Sequence, residues 1–124
     1  MSGNNLLLDT NVILYFLNGD KTLLQLFEQN SLFTSIITEI ELLSYPDLSD
    51  EEIGHIQLFL DQCTLIALTD NVKQKTIELR KKYGLKIPDA VILASSMIME
   101  STLLTADKDF KDIESANVIF YSNQ

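Results

Sequence analysis

The sequence predicts an α/β fold, a three-layer α/β/α sandwich around a mainly parallel central sheet of about four to five strands. Short, continuous apolar runs recur along the chain and alternate with segments in which apolar residues recur at helical spacing. Strands that are apolar throughout are typical of a parallel sheet covered by helices on both faces. The length of 124 residues suits one sizeable core, so residues 1–124 are expected to form a single domain.

The first half of the chain, up to residue 63, predicts two strands and four helices. An apolar run that ends at Asp9 forms the first strand, and Asn18-Gly19 stops the helix after it. Pro46 ends the third helix, and Ser49 with the acids behind it begins the fourth. The predicted segments are, in order, a strand at 4–9, helices at 10–20 and 20–28, a strand at 31–36, a helix from about 38 to 44 and a helix at 49–63.

The second half predicts three strands and two helices. The first of these helices is amphipathic and ends in the basic run Arg80-Lys81-Lys82. The second is apolar around most of its circumference and is opened by Pro88. A loop with the sequence DKDFKDI separates the last two strands. The predicted segments are a strand at 64–68, helices at 70–83 and 88–100, and strands at 101–106 and 117–121.

Charge and composition restrict the function. The net charge of −9 and the pI near 4.3 argue against loose binding along nucleic-acid phosphates. They suit a solvated acidic surface, acids gathered around a cation, or a basic protein partner. No apolar run approaches the roughly 20 residues that span a bilayer, and the start MSGNN lacks a secretory signal's basic residues, so a cytoplasmic location without membrane contact is expected. The single cysteine, Cys63, cannot form an internal disulfide.

Three acids stand beside apolar elements, where predicted strands end or helices begin. Asp9 interrupts the apolar stretch LLLDTNVIL, and Asp107 follows the strand STLLT. Asp89 lies in the first turn of the apolar helix, where the helix dipole stabilises a negative charge. Because the ligands of parallel sheets collect beyond the carboxyl ends of the strands, these carboxylates are expected to converge there. For Asp9, the alternative is an ordinary helix cap.

Glu41 is the fourth candidate acid. It lies three residues after Thr38, so TEIE also fits a capping box of the form S/T-x-x-E, and the local pattern alone favours this structural role. Glu39 is interpreted as a surface residue. Asp109 lies in the loop after a strand, where aspartates are commonly solvated, and its role stays open between a loop residue and a member of the acidic group.

Four carboxylates that meet in one place repel each other unless cations intervene. All-oxygen ligands of this kind favour hard ions, Mg²⁺ or Mn²⁺. Such a site can activate water and stabilise the leaving oxygen in phosphodiester hydrolysis. His55 lies among polar neighbours and is not expected to take part, and the sequence holds neither a Gly-rich phosphate loop nor a recognisable Ser-His-Asp arrangement.

Four stretches of this sequence resemble, in order, the four acidic motifs of PIN-domain proteins, and they are most similar to those of small VapC-type toxins. The stretches are LLLDTNVIL, SIITEIELLSYP, KIPDAVILASSM and LLTADKDF, and the resemblance covers essentially the whole chain. It implies a metal-dependent endoribonuclease with an α/β/α fold, the toxin of a type II toxin–antitoxin pair. Such proteins are often dimeric and are inhibited by a cognate antitoxin.

The resemblance also implies roles for individual residues. Glu41 matches the acid of a T-x-x-E-L pattern, which makes Glu39 the decoy, and Asp107 matches the acid of T-x-D-x-D-F, with Asp109 as a possible outer aid. Thr10 and Asn11 match the companions that shape the turn after the first acid, and Asn11 is expected to orient that acid by hydrogen bonding. The implied catalytic and Mg²⁺- or Mn²⁺-binding residues are Asp9, Glu41, Asp89 and Asp107.

Two further questions stay open at the level of sequence. Arg80, Lys81, Lys82 and Lys86 are candidates for contacting the RNA backbone, although a solvated helix face is the favoured interpretation of these charges. A non-catalytic module that uses its acids to bind a metal or a basic partner is the main alternative function. An acidic-pocket phosphotransfer receiver is a weaker one, because its only lysine candidate, Lys108, sits between two acids.

Overall fold

The computed structural model describes residues 4–122, and over that range five strands alternate with six α-helices. The strands are β1 (Asn5–Leu8), β2 (Ser31–Ser35), β3 (Thr64–Ile66), β4 (Thr102–Thr105) and β5 (Val118–Phe120). The helices are α1 (Thr10–Leu17), α2 (Lys21–Glu28), α3 (Ile36–Leu43), α4 (Asp50–Asp61), α5 (Asp70–Tyr83) and α6 (Ile87–Ile98). A short 3₁₀ turn over Lys108–Phe110 occupies the loop between β4 and β5.

The strands form one sheet in the order β3-β2-β1-β4-β5, and every neighbouring pair is parallel. β1 is central: Leu7 lies opposite Phe33 of β2 on one side and opposite Leu103 of β4 on the other. Each parallel connection requires a crossover, and the helices between the strands supply it. The predicted parallel α/β architecture is therefore confirmed.

The side chains of the central strands alternate between two hydrophobic clusters. Leu7 and Leu103 belong to a cluster formed with α5 and α6. Leu6, Leu8 and Leu104 belong to another cluster, formed with α1, α2 and α4. Since successive side chains of a strand point to opposite faces, the two clusters lie on opposite sides of the sheet. The result is a three-layer α/β/α sandwich, as predicted.

The helix boundaries follow local capping signals. Ser49 and Glu52 form a reciprocal capping box at the start of α4, as the serine and the early acids predicted. α1 ends at Leu17, and Asn18 caps its C-terminus, in agreement with the predicted stop at Asn18-Gly19. At the end of α5, Gly84 adopts a left-handed conformation with φ of 69°, which glycine accepts without a steric penalty.

One capping prediction is wrong. α3 begins at Ile36, two residues earlier than expected, because the hydroxyl of Ser35 accepts a hydrogen bond from the Ile37 amide at 3.1 Å and caps the helix. Thr38 therefore lies inside the first turn, so Thr38 and Glu41 do not form a capping box. Their polar side chains are left free for other contacts.

The remaining boundary differences are small. α6 begins at Ile87 and ends at Ile98, so Pro88 occupies its second position, and β3 ends at Ile66 rather than at Leu68. The boundaries of helices and strands commonly vary by one or two residues, and shifts of this size do not change the positions of the candidate acids. Within residues 4–122, no helix combines the length and the apolar character needed to cross a membrane.

Truncation of the central strand tests this packing. Leu7 is fully buried at 0% exposure, so Leu7→Ala is expected to lower the free energy of unfolding by about 2 to 5 kcal/mol through lost burial and an unfilled cavity. Leu58→Ala is the matched control, because that leucine is 65% exposed and its loss should cost less than about 0.5 kcal/mol. Urea unfolding measures both, and equal losses would contradict the assigned core.

Candidate metal centre

Asp9 occupies the corner between β1 and α1. Its amide extends the strand ladder by donating to the carbonyl of Leu104 at 2.9 Å, and its carboxylate oxygen Oδ1 accepts from the amide of Thr10 at 2.8 Å. It is thus the N-cap of α1, as the alternative interpretation proposed. The cap uses only part of the carboxylate, which has about four acceptor positions. The role of helix cap and a position in the acidic site are therefore compatible.

The second oxygen of Asp9 is held from two directions. Oδ2 accepts from the hydroxyl of Thr105 at 2.6 Å and from the side-chain amide of Asn11 at 3.4 Å. The carbonyl oxygen of the Asn11 side chain accepts in turn from the amide of Ala106 at 3.1 Å. These bonds fasten the end of β1 to the end of β4. They fix the orientation of a carboxylate that is only 5% exposed.

Glu41 reaches the same corner from α3. Its carboxylate oxygen Oε1 accepts from the hydroxyl of Thr10 at 2.6 Å. Glu41 is the sixth residue of the eight-residue helix α3, and the buried Leu42 that follows it packs into the core. Glu39, on the same helix, does not line this corner.

Asp89 and Asp107 complete the group. Asp89 lies in the first turn of α6, and Asp107 follows β4 and caps the 3₁₀ turn by accepting from the amide of Asp109 at 2.9 Å. The amide of Asp107 donates to the hydroxyl of Thr105 at 2.9 Å. The Thr105 hydroxyl therefore contacts both the Asp9 carboxylate and the backbone of Asp107.

The four acids surround one pocket of about 230 Å³. Its lining residues are Asp9, Thr10, Asn11, Leu14, Glu41, Tyr45, Asp89, Ile92 and Asp107. No basic side chain belongs to this lining, and the ion pairs found over residues 4–122 both lie on α5, Lys73 with Asp70 and Lys75 with Glu78. The pocket consequently concentrates negative charge without a protein cation to neutralise it.

A larger pocket of about 620 Å³ lies between the α1–α2 turn and the C-terminal segment. It contains a single carboxylate, that of Asp20, and this group accepts a hydrogen bond from the Tyr121 hydroxyl at 2.5 Å. Size alone does not identify a reactive site. The smaller acidic pocket is the better candidate, because several ionisable groups of one sign converge on it.

The electrostatics of the acidic pocket favour uptake of positive charge. Burial, followed by the charges of Asp107, Asp9, Asp109 and Glu41, raises the pKa of Asp89 from 3.8 to about 6. Burial also raises the pKa of Asp9, and it outweighs the hydrogen bonds from Thr105 and Thr10 that act in the opposite direction. Both carboxylates are destabilised as free anions, which is the condition under which a cation or a proton binds strongly.

The donor set fits a hard divalent cation. Asp89, Asp107 and Asp109 each offer an oxygen, and these oxygens lie within 4.8 Å of one another. Oxygens that share one Mg²⁺ lie up to about 4.2 Å apart, since each is about 2.1 Å from the ion, so small side-chain rotations are enough to close the site. Asp109, whose role the sequence left open, supplies one of these oxygens from the 3₁₀ turn that Asp107 caps.

The basic residues and the histidine singled out in the sequence lie outside this lining. Arg80 donates from Nε to the carbonyl of Leu85 at 3.1 Å, and the Lys82 ammonium lies 5.3 Å from the centre of the Tyr83 ring. Lys86 is the N-cap of α6, three residues before Asp89, and makes no side-chain capping bond. His55 is exposed on α4 and does not line the acidic pocket.

Thr105 is the site residue that sequence reasoning missed. It is fully buried at the end of β4, and its hydroxyl is the nearest partner of the Asp9 carboxylate. A signal was present in the spacing T-x-D, which places a hydroxyl two residues before Asp107 at a strand end. The contact with Asp9 spans 96 positions of the chain and depends on β4 lying beside β1.

Solved structures with this fold include a toxin–antitoxin complex and VapBC complexes. A toxin–antitoxin complex from Klebsiella pneumoniae contains a chain 26% identical to this one, with a TM-score of 0.76 and coverage of 95% of this chain and 97% of that chain. VapBC2 from Rickettsia felis, bound to a promoter DNA fragment, gives 20% identity, a TM-score of 0.82 and coverage of 95% and 99%. DNA-bound VapBC from Salmonella typhimurium gives 15% identity, a TM-score of 0.86 and coverage of 96% and 99%.

Family membership is shown by the sequence itself. The comparison with curated proteins found no match. The profile of the PIN domain family, however, matches residues 6–116, a span that contains all four acids of the pocket. The fold, the acidic pocket and this match agree, and the chain belongs to the PIN-domain family.

Proposed function

We propose that this protein is a metal-dependent endoribonuclease that hydrolyses RNA phosphodiester bonds, the toxin of a type II toxin–antitoxin pair. The observation that carries the proposal is the pocket in which Asp9, Glu41, Asp89 and Asp107 meet with no basic side chain in the lining. Such an arrangement is unfavourable for a purely structural site, because burial and mutual repulsion destabilise the charges. It is favourable for a site that recruits divalent cations.

In this proposal Asp9, Glu41, Asp89 and Asp107, helped by Asp109, hold Mg²⁺ or Mn²⁺. When bound, the cation supplies Lewis-acid stabilisation of charge on phosphate oxygens and lowers the pKa of water. The protein contributes orientation: the amide of Thr10 and the hydroxyl of Thr105 hold the Asp9 carboxylate in place. Asp89, with a pKa raised to about 6, would bind a cation as the ionised carboxylate, so its proton competes with the cation as the pH falls below 6.

Because the acidic pocket repels phosphates, the proposed RNA substrate must be bound by positively charged residues outside the pocket. Arg80, Lys81, Lys82 and Lys86 are exposed around the end of α5 and the start of α6, the helix that carries Asp89. We propose that they contact the RNA backbone. Such contacts are lost with rising salt, since each phosphate contact releases condensed counterions.

Two protein partners belong to the proposal. The structural neighbour from Klebsiella pneumoniae is a toxin–antitoxin complex, and a VapBC-5 structure from Mycobacterium tuberculosis belongs to the VapBC family of toxin–antitoxin systems, which supports a cognate antitoxin for this chain. A net charge of −9 is complementary to a basic partner surface. The second proposed partner is another copy of the chain, with which it would form a homodimer. Light scattering after size-exclusion chromatography measures the mass in solution and tests this. An adjacent reading frame for a small DNA-binding protein that co-purifies with this chain would support the toxin assignment.

Removal of single carboxylates tests the catalytic proposal. Asp9→Asn and Asp89→Asn are expected to reduce Mn²⁺-dependent RNA cleavage by at least about 100-fold, because each removes a charged ligand while keeping the size of the side chain. Asp9→Asn should leave the fold intact, since asparagine is also a good helix cap. Circular dichroism checks the fold, and a fluorescent RNA substrate measures cleavage.

Glu39→Gln is the matched control, because it changes a carboxylate of α3 that does not line the pocket. It should cleave at the wild-type rate. If the wild type and all three variants cleave alike, the nuclease assignment is wrong. If the wild type binds Mn²⁺ through these acids but cleaves no RNA, the non-catalytic binding module takes its place.

The raised pKa of Asp89 has a consequence for stability in the absence of metal. The pKa of its carboxyl is about 6 in the folded protein, against an ordinary value of 3.8, so the folded protein binds this proton more tightly than the unfolded chain does. The stability that results is fully present below about pH 4 and is lost as the pH rises through 6. Because the group is only partly buried, we expect Asp89→Asn to raise the free energy of unfolding by about 1 to 2 kcal/mol at pH 8 and by much less at pH 4. Urea unfolding with a chelator present measures the difference, and an equal effect at both pH values would contradict the assignment.

A further inference from the structure

The further inference rests on the proposed function and concerns Tyr45, which lies just beyond the end of α3 at the rim of the acidic pocket. Tyr45 belongs to the pocket lining together with Glu41, four residues earlier, and it is nevertheless 43% exposed. Over residues 4–122, its ring takes part in no aromatic pair and no cation–π contact, and its hydroxyl forms no hydrogen bond. Tyr45 therefore presents exposed aromatic surface beside the four acids.

The backbone around Tyr45 is held in a restrained turn. Ser44 caps α3, and its amide donates to the carbonyl of Glu41 at 3.3 Å. Pro46 follows Tyr45 directly, and a residue before proline is restricted to extended conformations because its own backbone and Cβ clash with the proline ring. Asp47 then has a φ of 65°, in the left-handed region that aspartate tolerates. A ring on a restrained backbone loses little conformational freedom when a ligand stacks on it.

A groove of about 150 Å³ adjoins the acidic pocket at Tyr45. Tyr45 and Leu14 line both cavities, so the groove and the pocket meet at these residues. The other residues of the groove come from the end of α1, the α3–α4 loop and α4, and they are Leu17, Asn18, Leu48, Glu52, His55 and Ile56. A cavity of this size has room for about one aromatic ring. Apolar walls with a few amide, imidazole and carboxylate groups suit a planar group with polar edges, such as a nucleobase.

The charge of the protein favours a contact with bases in addition to contacts with phosphates. A net charge of −9 and four acids at the site oppose the approach of RNA phosphates. Stacking of a base on an aromatic ring is not opposed by this charge, and it is a common source of affinity for single-stranded RNA. Each phosphate of a single strand joins two nucleotides. A phosphate held at the acidic pocket therefore has a base on either side of it.

We propose that Tyr45 stacks on the base of a nucleotide next to the scissile phosphate and directs that base into the adjoining groove. Tyr45 is then a substrate-binding residue that supplies affinity and sets which phosphate of the strand reaches the acids. Because every base has a π face, stacking tolerates any base and fixes the register of the RNA more than its sequence. Tyr45 takes no part in holding the metal.

Binding of RNA to matched Tyr45 variants tests this contact. Tyr45→Leu keeps an apolar side chain but removes the ring, and it is expected to weaken binding about tenfold. Tyr45→Phe keeps the ring and should bind like the wild type. The probe is a short, fluorescein-labelled single-stranded RNA, and its fluorescence anisotropy is followed with Ca²⁺ in place of Mn²⁺ so that binding is measured apart from cleavage. In Mn²⁺-dependent cleavage, Tyr45→Leu should raise KM with kcat unchanged.

Two further measurements distinguish stacking from an electrostatic or a structural effect. The loss of affinity in Tyr45→Leu should be the same at low and high salt, because stacking releases no counterions, whereas Lys82→Gln should reduce the salt dependence. Mn²⁺ affinity, measured without RNA by electron paramagnetic resonance of free Mn²⁺, should stay at the wild-type value. Phe120→Leu is the matched control and should bind RNA like the wild type, since Phe120 is 44% exposed but lies on β5, outside both linings.

Removal of single bases from the RNA identifies the partner of the ring. Abasic nucleotides are placed one at a time along the probe. At one position, next to the cleavage site, the wild type is expected to lose about tenfold in affinity. Tyr45→Leu should lose nothing more at that position, because two changes that remove the same contact are not additive.

The outcomes separate this inference from the proposed function. Tyr45→Leu with wild-type RNA affinity overturns the stacking role and leaves the nuclease assignment intact, also where this variant instead loses a co-purifying protein, because the ring then serves a protein contact. A phenylalanine variant as weak as the leucine variant overturns it as well, and so does weakened Mn²⁺ affinity in Tyr45→Leu. If binding depends on the ring and on one base but the wild type cleaves no RNA, the inference stands and the nuclease assignment fails. A wild type that binds no RNA overturns both.

Discussion

The hydrogen bond from the Thr105 hydroxyl to the Asp9 carboxylate joins the ends of two neighbouring parallel strands, and the geometry of the site depends on it. The same hydroxyl accepts from the amide of Asp107, so one buried group sets the positions of two acids. The constraint works because β1 and β4 are adjacent and parallel, which brings their carboxyl ends to one edge. Asn11 reinforces it by joining Asp9 to the loop after β4.

The arrangement of acids that suits the pocket for cation binding lowers the stability of the metal-free protein. Burial and mutual repulsion raise the pKa of Asp9 and Asp89, so the metal-free protein holds two carboxylates in an environment that disfavours their charge. A well-packed two-sided core compensates, with fully buried leucines on both faces of β1. Concentrated charge that is offset elsewhere in the fold is typical of functional sites. Local capping explains individual acids, but it does not explain why they share a pocket.

The sequence predicted the architecture and three of the pocket acids, Asp9, Asp89 and Asp107, from short-range patterns, and the family resemblance added Glu41. An apolar run that ends in a charge, as at Asp9, marks a strand end, and an acid after a proline marks a helix start, as at Asp89. The error at α3 has a physical cause: Ser35 and Thr38 are both good caps, and local sequence cannot decide between them. The choice falls to Ser35 because Thr38 turns inward to Thr10.

The sequence by itself determined the order of strands and helices and the family, since spacing and polarity encode these locally. Only the tertiary structure decided that Asp109 stands beside Asp89 and Asp107, that Thr105 holds Asp9, and that Thr10 contacts both Thr38 and Glu41 of α3. These contacts join residues far apart in the chain. They depend on which strands become neighbours and on which helices meet at the pocket, and no local pattern carries either piece of information.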